Sequence, residues 1–324
     1  MRISDWYAHK EGEEYSRVRK TAYGFFKPAV AKDYMSFMQK VAREVVAELK
    51  SDGGGNVREQ VGYRMTTKLT DYLLGLDDSN RPDFKYLIGQ AMLTFRISLT
   101  EREWEEADAA SDVMHNFWLD RITQRMENPV GDDVIAQIIR AGELTKHEII
   151  VLAENILLAG SDTTANTVTT GVALLLQNPG QMARAQKDQK YRDFVADEVL
   201  RLGSPGPTTW RGLVSDLDVN GTTLPAGALA CVVLGSANRD PSAFPTGHKF
   251  DLGWYLEERT RDKRPIPFGL GQHMCLGQYF VRTALGALFD ELLAPENTIE
   301  LDGTMPEMHS VGLRQVSKLN IRVS

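Results

Sequence analysis

The chain has 324 residues, with 37 Lys and Arg against 44 Asp and Glu, and its net charge of −7 excludes the broad basic surface typical of nucleic-acid-binding proteins. Hydrophobic residues make up 42% and charged residues 25%, as in a folded globular chain rather than a disordered one. Two cysteines, Cys231 and Cys275, exclude a disulfide framework and a CxxC metal site, and no apolar run reaches the roughly 18 residues of a membrane span. The sequence therefore predicts a cytoplasmic protein that binds neither nucleic acid nor membrane.

Helix-period patterns dominate the first 200 residues of the chain. Breaks are predicted at Pro28, at residues 51–55 and at residues 128–131, where Gly, Pro and polar residues gather. The best-marked helix is predicted from Thr145 to about Gln177. Thr145 and Glu148 have the spacing of a capping box, and Asn178-Pro179-Gly180 ends the pattern.

The middle of this long helix contains residues that disfavour a helix interior. Ala159-Gly-Ser-Asp-Thr-Thr164 places glycine, aspartate and two threonines where alanine or leucine would be more stable. One interpretation is structural: Gly160 allows close helix packing, and the hydroxyls bond to carbonyls one turn earlier. The other is that this segment serves a function.

Shorter elements are predicted in the second half of the chain. A helix over residues 191–202 places Glu198 and Arg201 on one face, and alternating patterns predict strands at 210–214 and 217–233 with a type I′ turn at Asn220-Gly221. Residues 237–267 have no periodicity, and a last helix is predicted from about Leu276 to Leu293. The prediction is a single mainly α domain over residues 1–324 with small β elements.

Cys275 lies before the last helix, behind a loop with glycines at 269 and 271. Helix amides and the helix dipole stabilise a thiolate, and glycines let the backbone approach a flat, bulky group. This pattern predicts a reactive sulfur with a lowered pKa. The alternative is that Cys275 is only a small buried apolar residue.

With these neighbours, the sequence resembles the cytochrome P-450 family, the haem-thiolate monooxygenases. The family's pattern Phe-x-x-Gly-x-His/Arg-x-Cys-x-Gly is matched from Phe268 to Gly277, its oxygen-activating segment by residues 159–164, and its Glu-x-x-Arg by Glu198 and Arg201. The resemblance spans essentially the whole chain, and it implies haem b as the cofactor.

The resemblance also implies roles for individual residues. Cys275 corresponds to the axial iron ligand, Asp162 and Thr163 to the acid and alcohol that deliver protons, and Glu198 and Arg201 to a buried structural ion pair. Residues implied to contact haem are Arg19, Gly160, Arg211, Phe268, Gly269, Gly271, His273 and Gly277. Residues implied to line the substrate pocket are Ala159, Thr208, Thr209 and Val311, at the tip of residues 311–313.

The implied function is insertion of one oxygen atom from O2 into a small apolar molecule. Electrons would come from NAD(P)H through a ferredoxin or a flavodoxin-like protein. A cluster of basic residues before the haem loop would attract that acidic donor, unless it is merely solvated: Arg259, Arg261, Lys263 and Arg264. Two alternatives remain open, a peroxide-driven peroxygenase and a non-catalytic haem-binding protein.

Three departures from the family pattern stand out. The family's first helices, most of a β-sheet and the loop that roofs the pocket have no counterpart, so Met1 to Gly12 stands where the roof should end. Tyr15 replaces a histidine that commonly binds a propionate. Trp254 replaces an arginine that usually joins Glu198 and Arg201.

Overall fold

The structure is a computed structural model that describes residues 10–77, 82–95, 98–257, 263–311, 313–316 and 318–324. The side chains of residues 95 and 309–311 are not described. Helices dominate the described residues. Their bounds are α1 Gly12–Gly24, α2 Pro28–Asp33, α3 Met35–Ser51, α4 Arg64–Leu74, α5 Phe84–Ala91, α6 Glu101–Glu127, α7 Val134–Ala141, α8 Lys146–Gln177, α9 Pro179–Lys187, α10 Gln189–Arg192, α11 Val195–Gly203, α12 Leu234–Ala237 and α13 Gln278–Leu292. A π-helix, Val57–Tyr63, leads directly into α4.

The strands are short and pair antiparallel. They are β1 Gly54–Asn56, β2 Thr209–Gly212, β3 Leu217–Val219, β4 Thr222–Leu224, β5 Leu229–Val232, β6 Ile299–Leu301, β7 Met308–Val311, β8 Leu313–Val316 and β9 Asn320–Val323. β9 lies between β1 and β6 in a three-stranded sheet, while β2 pairs with β5, β3 with β4 and β7 with β8. The turn between β3 and β4 has positive φ at Asn220 and Gly221, 52° and 80°, as a type I′ turn requires.

α8 is the 32-residue centre of the fold, and most of its residues are buried. Its capping box forms as predicted: Thr145 Oγ1 accepts a bond from the Glu148 amide, and the Glu148 carboxylate accepts one from the Thr145 amide at 2.7 Å. Glycine lets neighbours approach closely, because a Cβ on Gly62 of the π-helix would lie 2.9 Å from the backbone of Ala165. These contacts hold α8 along its length.

The predicted mainly α fold with small β elements is confirmed, and element boundaries move by a few residues. The predicted helix over 191–202 divides into α10 and α11, and the last helix begins at Gln278 rather than at Leu276. Buried apolar side chains from Tyr15 to Val323 belong to one core cluster. None of the helices in the described residues combines the length and apolar character needed to cross a bilayer.

Candidate active site

The loop before α13 holds Cys275 by backbone bonds. The Cys275 amide donates to the carbonyl of Phe268 at 2.9 Å, and the Met274 amide donates to the carbonyl of Gly271 at 3.1 Å. Gly269 and Gly271 adopt positive φ, 71° and 78°, which favours glycine at both positions. Cys275 therefore lies at the end of a tight turn, three residues before the helix, and Gly277 occupies the N-cap position.

Three residues attach this loop to the rest of the molecule: Glu11, which precedes α1, and Tyr15 and Arg19 of α1. The Tyr15 hydroxyl donates to the carbonyl of Gln272 at 2.7 Å, and its ring stacks on His273 with 4.3 Å between centroids. The Arg19 guanidinium donates to the carbonyl of Met274. The Glu11 carboxylate accepts a bond from the Gln272 side chain, through Nε2, at 2.7 Å and bonds to His273 Nε2 at 2.9 Å. Tyr15, which departs from the family's histidine, thus positions the loop through its phenol.

Cys275 is accessible to solvent, yet protein surrounds it closely. Burial raises the pKa of the Cys275 thiol, although the Gly277 amide and the charges of Arg19 and Arg282 act in the opposite direction. The predicted lowering of this pKa by the chain is therefore wrong. The prediction counted the helix amides and omitted the cost of burying a charge.

One face of α8 is accessible in the middle of an otherwise buried segment. Ala159 is exposed and Gly160 and Thr163 are half-buried, whereas the flanking Leu158 and Ser161 are buried. Thr163 Oγ1 donates to the carbonyl of Ala159 at 2.5 Å, as the structural interpretation of the threonines expected. A Cβ on Gly160 would lie 3.6 Å from Thr70 Cγ2, so this glycine faces α4, and its predicted contact with haem stays a prediction.

Asp162 points away from this accessible face, into a polar network. Its Oδ1 accepts bonds from Arg58, at 2.6 Å, and from the Tyr63 hydroxyl, and its Oδ2 accepts one from Asn166 at 3.0 Å. Burial and the Asp162 charge raise the pKa of Tyr63, so this phenol remains a donor at neutral pH. The sequence analysis missed Arg58 and Tyr63, because they are about a hundred residues distant along the chain and belong to no motif.

Glu198 and Arg201 form the buried ion pair that the resemblance predicted. The guanidinium donates two bonds of 2.7 Å to the carboxylate and further bonds to three backbone carbonyls. The carboxylate also accepts bonds from the Asp251 amide at 2.7 Å and from the Tyr255 hydroxyl at 3.0 Å. Burial raises the pKa of the Glu198 carboxyl, and these four donors oppose that rise. Tyr255, next to Trp254, supplies a contact here that the sequence did not reveal.

The remaining predicted residues lie at or near the strands. Arg211 is exposed on β2 and donates to Thr209 Oγ1 at 2.9 Å, and Thr208 and Thr209 are half-buried at the start of that strand. Val311 ends β7, and its side chain lies outside the described part of the chain. Lys263 and Arg264 are exposed, whereas Arg259 and Arg261 lie outside the described residues.

The sequence profile of the family described as "Cytochrome P450" matches residues 6–295. The chain belongs to the cytochrome P450 family. This family of oxidoreductases uses haem, and its members include the curated monooxygenases and hydroxylases that this chain matches.

Three bacterial P450 relatives illustrate the match. The chain is 29% identical over 296 residues to the 6-deoxyerythronolide B hydroxylase of Saccharopolyspora erythraea, covering 88% of this chain and 70% of that protein. It is 24% identical to the biotin biosynthesis cytochrome P450 of Bacillus subtilis, covering 86% of this chain and 70% of that protein. The putative cytochrome P450 140 of Mycobacterium bovis is 26% identical, and the chain spans 63% of its length.

Solved P450 structures have the same fold. P450BioI, in complex with an acyl carrier protein carrying hexadec-9Z-enoic acid, superposes with a TM-score of 0.90 at 22% identity, over 99% of this chain and 82% of that one. The tirandamycin C-bound P450 monooxygenase TamI gives a TM-score of 0.83 at 25% identity, over 99% and 79%.

The residues around Cys275 fit the haem of a P450. The thiol is a single soft donor, and the described residues contain no group of three or more His, Cys, Asp or Glu that could hold a metal ion. A metal bound by one protein ligand needs its other ligands from elsewhere, which a porphyrin supplies. The Cβ positions of Gly269, Gly271 and Gly277 have no heavy atom within 4 Å, so a flat group can approach this backbone.

Proposed function

We propose that this chain is a single haem b domain that inserts one atom of O2 into a C–H or C=C bond of a small apolar molecule. The observation that carries the proposal is an accessible Cys275, held by a glycine loop within the family's cysteine motif. The electrons would come from NAD(P)H through separate carrier proteins.

Haem, when bound through a thiolate, supplies the activation of dioxygen. The residues of this chain bind and orient it. Cys275 would hold the haem iron through its sulfur, toward which the Gly277 amide donates a hydrogen bond. Arg19, Arg211 and His273 would donate to the haem propionates, and the guanidinium of Arg282 lies 4.8 Å from the centre of the Phe268 ring.

Asp162 and Thr163 are proposed to supply protons. The Thr163 hydroxyl lies on the accessible face of α8, where it can hold a water or a substrate oxygen. Asp162, the preceding residue of α8, bonds to Arg58, whose side chain is 22% exposed and so reaches solvent. A proton carried along this path must pass a carboxylate that already accepts three hydrogen bonds.

The substrate class rests on two kinds of support. Ala159, Thr208 and Thr209 are small and accessible, as residues that border a pocket must be. The hydroxylase relative is named for 6-deoxyerythronolide B, and the TamI structure has tirandamycin C bound, so both names give a discrete compound as the ligand.

An absorption spectrum tests whether Cys275 binds the haem iron. The haem-loaded protein, reduced and exposed to carbon monoxide, is expected to show the red-shifted Soret band of a thiolate complex. Cys275→Ser should abolish this band. Cys231→Ser is the matched control, because Cys231 is the other accessible cysteine and lies on β5. A thiolate band that survives in Cys275→Ser would overturn the proposal.

A turnover assay tests the reaction. Compounds that displace water from the iron in an optical titration would first be selected, then incubated with NAD(P)H, a ferredoxin and its reductase. Oxygenated product under these conditions supports the monooxygenase. Product with hydrogen peroxide alone would indicate a peroxygenase, and a correct spectrum without any product would indicate a haem-binding protein that is not an enzyme.

The donor protein is proposed to dock beside the basic segment before the haem loop. Lys263 and Arg264 are exposed there on a protein whose net charge is negative, so they would attract an acidic donor. Reversing both charges to Glu should slow donor-dependent turnover at low salt, and added salt should reduce the difference. Charge reversal at the exposed Arg43 of α3 is the control, and equal effects in both variants would exclude this docking site.

A further inference from the structure

A second cleft, which shares no residue with the Cys275 loop, has a volume of about 680 Å³. It lies between the end of α8, the start of α9 and residues 239–250. This volume is typical of sites that bind small molecules. The cleft is lined by Leu174, Gln177, Asn178, Pro179, Gly180, Gln181, Arg184, Leu202, Arg239, His248, Lys249 and Phe250.

Basic side chains dominate the polar lining. Arg184, Arg239 and Lys249 are cations at neutral pH, and none of the described residues that line the cleft is Asp or Glu. None of these three cations forms an ion pair with a described residue. The neighbouring carboxylate is Asp251, which accepts a bond from the Gly253 amide at 3.0 Å. Three positively charged side chains therefore line the cleft, and its described lining has no acidic residue, although the protein as a whole is acidic.

Arg239 is a cation that is partly removed from solvent, which is energetically unfavourable. It is half-buried, and its guanidinium donates to the carbonyls of Gly235, at 2.9 Å, and Leu202 rather than to a carboxylate. Burial lowers its pKa to about 10, and the charges of Arg314 and Arg201 act in the same direction, opposed by the smaller effect of the Glu198 carboxylate. A partly buried cation beside other cations is stabilised by an anion that reaches it.

The backbone of α9 adds a further donor. The Asn178 side chain donates to the carbonyl of Leu174 and does not cap α9, so the Gly180 amide at the start of this nine-residue helix is left for another acceptor. The same bond satisfies a carbonyl in the last turn of α8, which reduces the partial negative charge at that end of the helix. Amides at a helix start and arginine side chains both bind phosphate and carboxylate oxygens.

We propose that this cleft binds a small multivalent oxyanion, whose phosphate or carboxylate oxygens are held by Arg184, Arg239 and Lys249. Phosphates and carboxylates are recognised by the same chemistry, since both present several oxygens with delocalised negative charge. The proposal concerns a site separate from the haem site, and it does not depend on the proposed monooxygenase activity.

Calorimetric titration of the haem-loaded protein tests the proposal, with pyrophosphate as the phosphate probe and citrate as the carboxylate probe. A titration with chloride at equal ionic strength is the reference, so that the screening of charges is the same in all three titrations. The double variant Arg184→Gln with Lys249→Gln should weaken binding by about tenfold or more, because two charge-assisted hydrogen bonds are lost. If only one probe binds, the site prefers that class of oxyanion, phosphate or carboxylate.

The control is Lys187→Gln with Lys27→Gln, which removes the same charge from exposed residues outside the cleft, one of them on α9. The control should bind the probe within about twofold of the unaltered protein. The carbon monoxide spectrum must be unchanged in both double variants, which separates this result from any failure of the haem site. If neither probe binds above chloride, or if the two double variants bind equally, the proposal is wrong.

Discussion

At the scale of single residues, Glu198 and Arg201 show how a buried ion pair becomes stable. Each charge satisfies the other, and the surplus donors and acceptors are taken up by backbone groups and by the Tyr255 hydroxyl. Arg201 also fixes residues 238–249, because it bonds to carbonyls of Asn238, Gly247 and Lys249. One guanidinium therefore orders the irregular segment that precedes the cysteine loop.

The Glu198→Gln variant should lose about 3–5 kcal/mol of the free energy of unfolding, because it leaves a buried guanidinium without its counter-charge. Tyr255→Phe should lose less, about 1.5–3 kcal/mol, since it removes one hydrogen bond to the carboxylate and leaves both charges in place. Denaturant unfolding of both variants measures these values. Equal losses would show that the charge of Glu198 contributes nothing beyond a hydrogen bond.

The Thr163→Ala variant tests the residue that faces the accessible side of α8. If its hydroxyl handles protons, the variant should consume NAD(P)H at a similar rate while forming less product and more peroxide. Thr167→Ala is the control. The Thr167 hydroxyl makes the same kind of bond, to the carbonyl of Thr163 four residues before it, but Thr167 is buried. The ratio of product to NAD(P)H separates the two, and equal ratios would assign Thr163 a structural role only.

At the scale of elements, α8 is fixed at its start by a capping box that is joined to α1. The Arg17 guanidinium bonds to the Glu148 carboxylate and to the carbonyl of Glu143 at 3.0 Å. Burial alone would raise the pKa of Glu148, but the bonds from Arg17 and Thr145 outweigh it and lower the pKa. The same carboxylate thus caps one helix and binds another.

The lowered pKa of Glu148 predicts a dependence of stability on pH. A carboxyl that holds its proton less tightly when folded stabilises the protein above its unfolded pKa of about 4.3 and loses that contribution as the pH falls through its folded pKa. The free energy of unfolding should therefore fall below about pH 5, and fall less in Glu148→Gln than in the unaltered protein. Arg17→Gln should reduce the dependence similarly. Identical pH profiles in all three proteins would contradict the assignment.

At the scale of the whole molecule, α8 is held by close approach of its neighbours. Gly62 of the π-helix and Gly171 of α8 each lie where a methyl group would overlap a neighbour, the backbone of Ala165 in the first case and the Phe289 ring in the second. These contacts join the π-helix, α8 and α13 into one core, which contains buried residues from both ends of the chain. The π-helix also carries Arg58 and Tyr63, so packing and the Asp162 network share one element.

A pair of glycine variants tests this packing. Gly62→Ala should destabilise the protein by about 1–3 kcal/mol, because the added methyl group meets backbone that cannot move aside. Gly286→Ala is the matched control in α13, where the Cβ position is open, and it should stabilise the helix by up to about 1 kcal/mol. Thermal unfolding of both variants measures the difference, and a neutral Gly62→Ala would refute the close approach.

The sequence by itself determined the features that depend on near neighbours. The ends of α8, the type I′ turn and the cysteine loop follow from residues a few positions apart, and the family's motifs follow from the same short spacings. Only the tertiary structure decided which groups meet from distant parts of the chain. Arg58 and Tyr63 reach Asp162 across about a hundred residues, and Tyr255 reaches Glu198 across 57. The pKa of Cys275 belongs to this second group, because burial depends on how many distant atoms surround a thiol and not on its position before a helix.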